Sequence, residues 1–216
     1  MTSTIELVAY LRTEFLAAQP DRDESLMGVL GGAVAAGTID DATAVSILVQ
    51  LVGAGGESTA GLIANAARLL AIDPGLQRQL RRDPQRVGDF LNEALRLESP
   101  FRGHHRHITA DTRLGGVELP AGGHLLLLWG AANRDPSVFS DPDVVDLERR
   151  SGATALAFGK GVHFCVGSAL ARLEATAAIT VLLNRTNSFT LDEAAPPQWF
   201  PSLFVRRHQS LPLALG

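Results

Sequence analysis

The residues most able to do chemistry gather around the single cysteine of the chain. Cys165 lies in Phe158-Gly159-Lys160-Gly161-Val162-His163-Phe164-Cys165-Val166-Gly167, and a strongly helical run, Ser168-Ala169-Leu170-Ala171-Arg172, begins just after it. A cysteine at a helix N-terminus sits among backbone N–H groups that have no partner within the helix. Those donors and the helix dipole favour a thiolate. Gly159, Gly161 and Gly167 let the backbone turn tightly and let a flat ligand approach it. Three readings are open from the residues alone: a small buried hydrophobe, a nucleophile, or a thiolate ligand for haem iron.

A second stretch offers acid and hydroxyl groups. From Ala42 to Ala67 the only formally charged residue is Glu57, preceded by Gly53-Ala54-Gly55-Gly56 and followed by Ser58-Thr59. The run is long enough to span a bilayer. A carboxylate inside a membrane is costly without a partner, so the expectation is a helix buried in the middle of a soluble protein. Three glycines weaken a helix interior by up to about 1 kcal/mol each relative to alanine. They serve either close helix packing or a local kink that makes room for a bound molecule, and the adjacent Glu57, Ser58 and Thr59 favour the kink. His105 and His107 would share one face of a strand, but no carboxylate or cysteine nearby completes a metal ligand set.

The elements that must position these groups follow from apolar spacing. Leu7, Tyr10, Leu11 and Phe15 mark a helix over 4–18, broken at Pro20-Asp21-Arg22-Asp23. A short helix over 25–36 ends near Gly37, and Asp40 or Asp41 caps a long one reaching Leu70. Asp73-Pro74 and Asp83-Pro84 open further helical pieces, the second presenting Val87, Phe90, Leu91, Ala94 and Leu95 on one face. Glu93 and Arg96 lie three apart, off that face. After Pro100 the pattern turns to strands: Arg102–Thr109, then Leu114–Leu119 and His124–Trp129 around a Pro120-Ala121-Gly122-Gly123 turn. The helix after Cys165 extends to about Leu183 with Leu170, Leu173, Ala177, Thr180 and Val181 inward, and the proline-broken tail from Ser188 reads as a terminal hairpin.

Composition narrows the function classes. At 216 residues the chain can bury one substantial core, so a single domain over 1–216 is expected. A net charge of −4 without a basic block argues against nucleic acid as partner. One cysteine excludes an intrachain disulfide and fits a reducing cytoplasm. No basic n-region followed by an apolar h-region opens the chain, so no signal peptide is expected.

Phe158, Gly159, Gly161, His163, Cys165 and Gly167, with Ala169-Leu170-Ala171-Arg172 and Glu174 after them, resemble the haem-thiolate loop of the cytochrome P450 family, in its soluble bacterial branch. Ala54-Gly55-Gly56-Glu57-Ser58-Thr59 is similar to that family's oxygen-binding segment, with Ser58 where the family usually carries threonine. Glu93-Ala94-Leu95-Arg96 resembles its Glu-x-x-Arg helix, and Arg149 matches the arginine that joins this pair in a structural charged cluster. Ala155 departs from the histidine common in bacterial relatives.

The resemblance implies a mainly α fold with small β-sheets (α+β), covering only the later half of the family architecture. It implies haem b as cofactor, with Cys165 as axial ligand, Arg106 and His163 on the propionates, and Phe158 shielding the sulfur. Ala54, Gly55, Gly159, Gly161 and Gly167 would line the haem. Glu57, Ser58 and Thr59 would relay protons, and Phe101, Phe204 and Val205 would border a substrate pocket. The implied activity is insertion of one oxygen atom from O2 into a small organic substrate. Electrons would come from a separate donor protein, a ferredoxin or similar. The alternative expectation is a haem-binding or assembly module with little turnover, completed by self-association or a partner chain.

Overall fold

The computed structural model describes residues 2–18, 24–150 and 154–216. The break expected at Pro20–Asp23 lies outside them. The chain divides into two compact units, Met1–Glu57 and Ser58–Gly216, and one helix holds residues of both.

The first unit holds α1 (Thr2–Ala18), α2 (Leu26–Ala35) and the first part of α3 (Asp41–Ile72). Leu11 and Phe15 of α1, Leu30 of α2, and Ala44, Val45 and Leu48 of α3 form its small apolar core. Tyr10, expected on the packed stripe, is 60% exposed. Ser25 caps α2 by accepting from the Gly28 N–H at 3.1 Å. Gly37 ends it at φ 71°, a left-handed conformation that costs other residues about 1 kcal/mol or more. The Asp40 carboxylate accepts from the Thr43 N–H at 2.7 Å and so caps α3; hydrogen bonds from the Thr43 hydroxyl and N–H hold its carboxyl below the usual range.

The second unit packs the rest of α3 against α4 (Pro74–Arg82), α5 (Val87–Leu97) and α7 (Ser168–Arg185). Its core contains Leu62, Ala66 and Leu70, then Leu76 and Leu80, the expected Val87-Phe90-Leu91-Ala94-Leu95 face, and Ala175, Ile179 and Leu183. The inward side of α7 is therefore not the expected one: Leu170, Leu173 and Val181 are exposed, at 58%, 67% and 58%. Small and apolar residues surround this helix on all sides, so periodicity does not select a face; the fit of Ala175 and Ile179 against α5 does. Arg81 of α4 ties down the far end of α7. Its guanidinium donates to the Leu183 carbonyl, to the Thr186 carbonyl at 2.6 Å and to the Thr186 hydroxyl at 3.1 Å. These are carbonyls a helix terminus leaves unpaired, at the negative end of its dipole.

Four two-stranded antiparallel ladders complete the unit. β1 (His104–His107) pairs with β4 (His124–Leu127), and β2 (Thr112–Leu114) with β3 (Val117–Leu119). The single strand expected over 114–119 is thus a hairpin. Gly115 and Gly116, at φ 57° and 85°, supply the two left-handed residues that a two-residue hairpin turn requires. A four-residue helix, α6 (Trp129–Ala132), follows β4. The tail forms two nested ladders, β5 (Phe189–Leu191) with β8 (Leu213–Leu215) outside β6 (Gln198–Trp199) with β7 (His208–Ser210).

α3 also departs from expectation. It is helical without interruption through Gly53–Gly56, and Val52 there is 50% exposed. The glycine cost is offset by the buried face at each end of the helix. By length and composition α3 could cross a bilayer, and only 22% of its apolar window is buried among the described residues, less than the buried helix expected from the sequence.

Candidate functional site

The loop before α7 is built from short backbone bonds. Gly159 and Gly161 both adopt φ 72°. The Cys165 N–H donates to the Phe158 carbonyl at 2.9 Å, and the Phe164 N–H to the Gly161 carbonyl at 3.0 Å around a 3-10 turn, Gly161–His163. The Ser168 N–H reaches the Cys165 carbonyl at 3.3 Å, so the cysteine sits one turn ahead of α7, with Gly167 as its N-cap. Cys165 is a free, half-buried thiol. A Cβ placed on Gly167 would come 3.9 Å from its sulfur, so a longer side chain there would crowd the thiol.

Exposed apolar groups surround this thiol. Val162 is 94% exposed, Val166 88% and Phe164 51%. The Phe158 ring stands 6.4 Å from that of Phe164, and the Arg172 guanidinium lies 4.5 Å over Phe158, holding it from the first turn of α7. His163 is exposed within the 3-10 turn. Gly161 would meet nothing within 4 Å if given a Cβ, and the same holds for Gly53, Gly55 and Gly56 of α3. Close helix packing at that glycine run is therefore absent among the described residues; the glycines leave open, flat backbone. On the same helix Ala54 and Gly55 are exposed, Glu57 and Ser58 half-buried, and Thr59 buried. Such a loop fits a flat prosthetic group ligated by one thiolate. Among the described residues no three His, Cys, Asp or Glu side chains gather where they could hold a bare metal ion.

The structure brings Glu93, Arg96 and Arg149 together. Arg96 and Glu93 are both fully buried, with Nε donating to Oε1 at 2.8 Å and the second guanidinium arm to Oε2 at 2.9 Å. Arg149 Nε donates to the same carboxylate at 3.3 Å, and the Asp146 N–H at 3.0 Å. The remaining Arg96 donors reach the carbonyls of Asn133, Pro142 and Val144 at 3.0, 2.5 and 3.0 Å. One guanidinium thus gathers the irregular segment that precedes the cysteine loop.

Asn133, whose role the sequence reading missed, adds the last link. Buried, it donates to the Ser99 hydroxyl at 3.0 Å and accepts from the Leu156 N–H at 2.6 Å, two residues before Phe158. An amide in an otherwise apolar Ala131-Ala132-Asn133 segment was the available signal.

Arg106 lies half-buried on β1, donating to the His105 carbonyl at 2.9 Å. Phe101 and Val205 meet in an antiparallel bridge, and Phe204 packs its ring 5.3 Å from His105. The three proposed pocket residues therefore border one corner, where the chain after α5 meets the tail.

The cytochrome P450 family profile matches residues 85–211. Cytochrome P450 144 of Mycobacterium tuberculosis (strain H37Rv) is 48% identical over 211 residues, covering 98% of this chain and 48% of that protein. The biotin biosynthesis cytochrome P450 of Bacillus subtilis (strain 168) is 43% identical over 154 residues, covering 71% of this chain and 38% of its own length. Among solved structures, P450BioI in complex with hexadec-9Z-enoic acid ligated acyl carrier protein superposes with TM-score 0.90 at 34% identity, over 98% of this chain and 54% of that one. CYP109E1 from Bacillus megaterium in complex with corticosterone gives 0.92 at 30%, over 99% and 58%. The chain spans about half the length of the curated relatives it matches. With a cysteine loop, a buried Glu-x-x-Arg pair and an α+β architecture in agreement with these matches, the chain belongs to the cytochrome P450 family, whose cofactor is haem.

Proposed function

We propose that residues 1–216 act as one haem-thiolate domain of a monooxygenase that inserts one oxygen atom from O2 into a small organic substrate. The observation that carries this reading is the loop around Cys165: a lone half-buried thiol one turn ahead of a helix, preceded by two left-handed glycines. Bound haem supplies the iron at which oxygen is activated.

The chain's own residues supply the rest. The Cys165 thiolate would ligate the haem iron and donate electron density to it. The backbone N–H groups of Val166 and Gly167 soften the sulfur charge, and Phe158, held under Arg172, keeps water from it. Arg106 and His163 bind the propionates, guanidinium being suited to paired bonds with a carboxylate. Ala54 and Gly55 leave the surface of α3 open to the flat ring. Glu57, Ser58 and Thr59 would hold water near the bound haem and pass protons. Serine at 58 keeps the hydroxyl of the family's usual threonine but lacks the methyl that stiffens χ1. Phe101, Phe204 and Val205 border the substrate.

Electrons come from a separate ferredoxin-like protein, and no nucleic acid or membrane takes part. The one free cysteine fits the reducing cytoplasm. The alternative, a haem-binding module with little or no turnover completed by self-association or a partner chain, is the less favoured reading given the family match.

The deciding experiment is the reduced carbon-monoxide spectrum of the haem-loaded chain. The unaltered chain gives the thiolate-type band, and Cys165→Ala loses it. A chain that stays colourless with ample haem, or a Cys165→Ala variant that keeps the band, overturns the reading.

A further inference from the structure

The strand that carries Arg106 carries a second polar group on the same face. Side chains alternate along β1, so His104 and Arg106 point to one side, and His105 and His107 to the other. The partners of the second pair agree: the His105 ring packs at 5.3 Å on Phe204, and that of His107 at 5.3 Å on its cross-strand neighbour His124. His104 is held differently. The Trp129 indole N–H, at the start of α6, donates to His104 Nδ1 at 2.6 Å, with the Phe101 ring 5.4 Å away on a further side. An indole nitrogen only donates, so Nδ1 must carry the lone pair and the ring proton must sit on Nε2. Burial and the nearby Arg106 charge both lower the His104 pKa, keeping the ring neutral at neutral pH. Its remaining polar atom is a fixed Nε2–H donor beside a guanidinium.

We propose that His104 is a second donor to the haem propionates beside Arg106, and that Trp129 positions it by setting its tautomer. This rests on the haem-binding reading above. The pairing has a chemical logic: one charged and one neutral donor side by side match a carboxylate, whose two oxygens together accept about four bonds. Trp129 does not touch the cofactor in this scheme; it acts through His104.

The test is the rate at which the haem-loaded chain gives up its haem to excess apomyoglobin. It is run on the unaltered chain, His104→Ala, His104→Gln and Trp129→Phe, each first checked for helix content and the thiolate-type spectrum. His104→Ala is expected to lose haem about tenfold faster, as befits a lost hydrogen bond to a charged group. His104→Gln, which keeps an N–H donor, recovers part of this, and Trp129→Phe gives a smaller acceleration. A second series uses haem dimethyl ester, whose propionates carry no charge. There the difference between the unaltered chain and His104→Ala shrinks to within about twofold, which a merely structural role for His104 would not produce. Equal release rates for His104→Ala and the unaltered chain, or an undiminished difference with the ester, overturn the assignment while leaving the haem reading intact. An unaltered chain that takes up no haem overturns both.

Discussion

Replacing Glu93 by alanine removes the one carboxylate on which four donors converge: two arms of Arg96, the Arg149 Nε and the Asp146 N–H. Arg96 is fully buried and keeps three carbonyl partners, but these carry no compensating charge. Breaking one side of a buried ion pair costs about 3–5 kcal/mol, because the remaining charge stays out of water. Domains of this size are stable by about 5–15 kcal/mol, so a large fraction is lost. With a urea slope of about 2 kcal/mol/M, a loss of about 4 kcal/mol lowers the unfolding midpoint by about 2 M. Urea unfolding followed by circular dichroism reads this directly. The double variant Glu93→Leu/Arg96→Met removes both charges yet recovers less than half the loss. Three backbone carbonyls are then left without their donor, at about 1–3 kcal/mol for each unsatisfied group. A midpoint shift below about 0.5 M for Glu93→Ala, with the slope unchanged, would refute the claim that this cluster holds the segment before the cysteine loop.

Two further outcomes are expected. His208 is buried against Trp199, ring centroids 3.8 Å apart, and burial pushes its pKa down from 6.5 to about 4, with Arg68 and Arg206 adding to the effect and Glu98 opposing it. The unfolded chain therefore binds a proton more readily than the folded one, and stability present above pH 6.5 is lost as pH falls toward 4, by about 3 kcal/mol in all. His208→Leu should flatten this acid dependence in urea titrations at pH 7 and pH 4.5; parallel curves for both proteins would count against it. Glu57→Gln and Ser58→Ala should leave haem content unchanged but divert about tenfold more of the consumed electrons to peroxide, as loss of a proton-transfer group predicts. An unchanged product yield per electron would remove these residues from the proton path.

The sequence made some of this legible and hid the rest for physical reasons. Fixed-spacing features were readable: the glycines beside Cys165, the Glu93–Arg96 pair, the α5 face and a cap at Asp40 or Asp41. Each depends on local geometry that residue type dictates. The packed side of α7 was not readable, since Leu170 and Ile179 are equally apolar and only the shape of α5 chooses between them. The glycine run in α3 pointed to a local kink, and the backbone stays helical through it. Gly115-Gly116 was passed over because the apolar residues around it seemed to form one strand. Asn133, His104 and His208 act through partners 23 or more residues distant, or across the tail ladder, and no local pattern marks them.

The anchoring of α7 by Arg81 bears on the sulfur at its opposite end. Eighteen residues make a rod about 27 Å long, and successive residues point about 100° apart around its axis. Clamped at Leu183 and Thr186, the rod cannot screw along itself without tearing guanidinium bonds at the clamp. The bearing of the thiol is thereby fixed from afar, much as the angle of a key's bit is set by the hand on its bow.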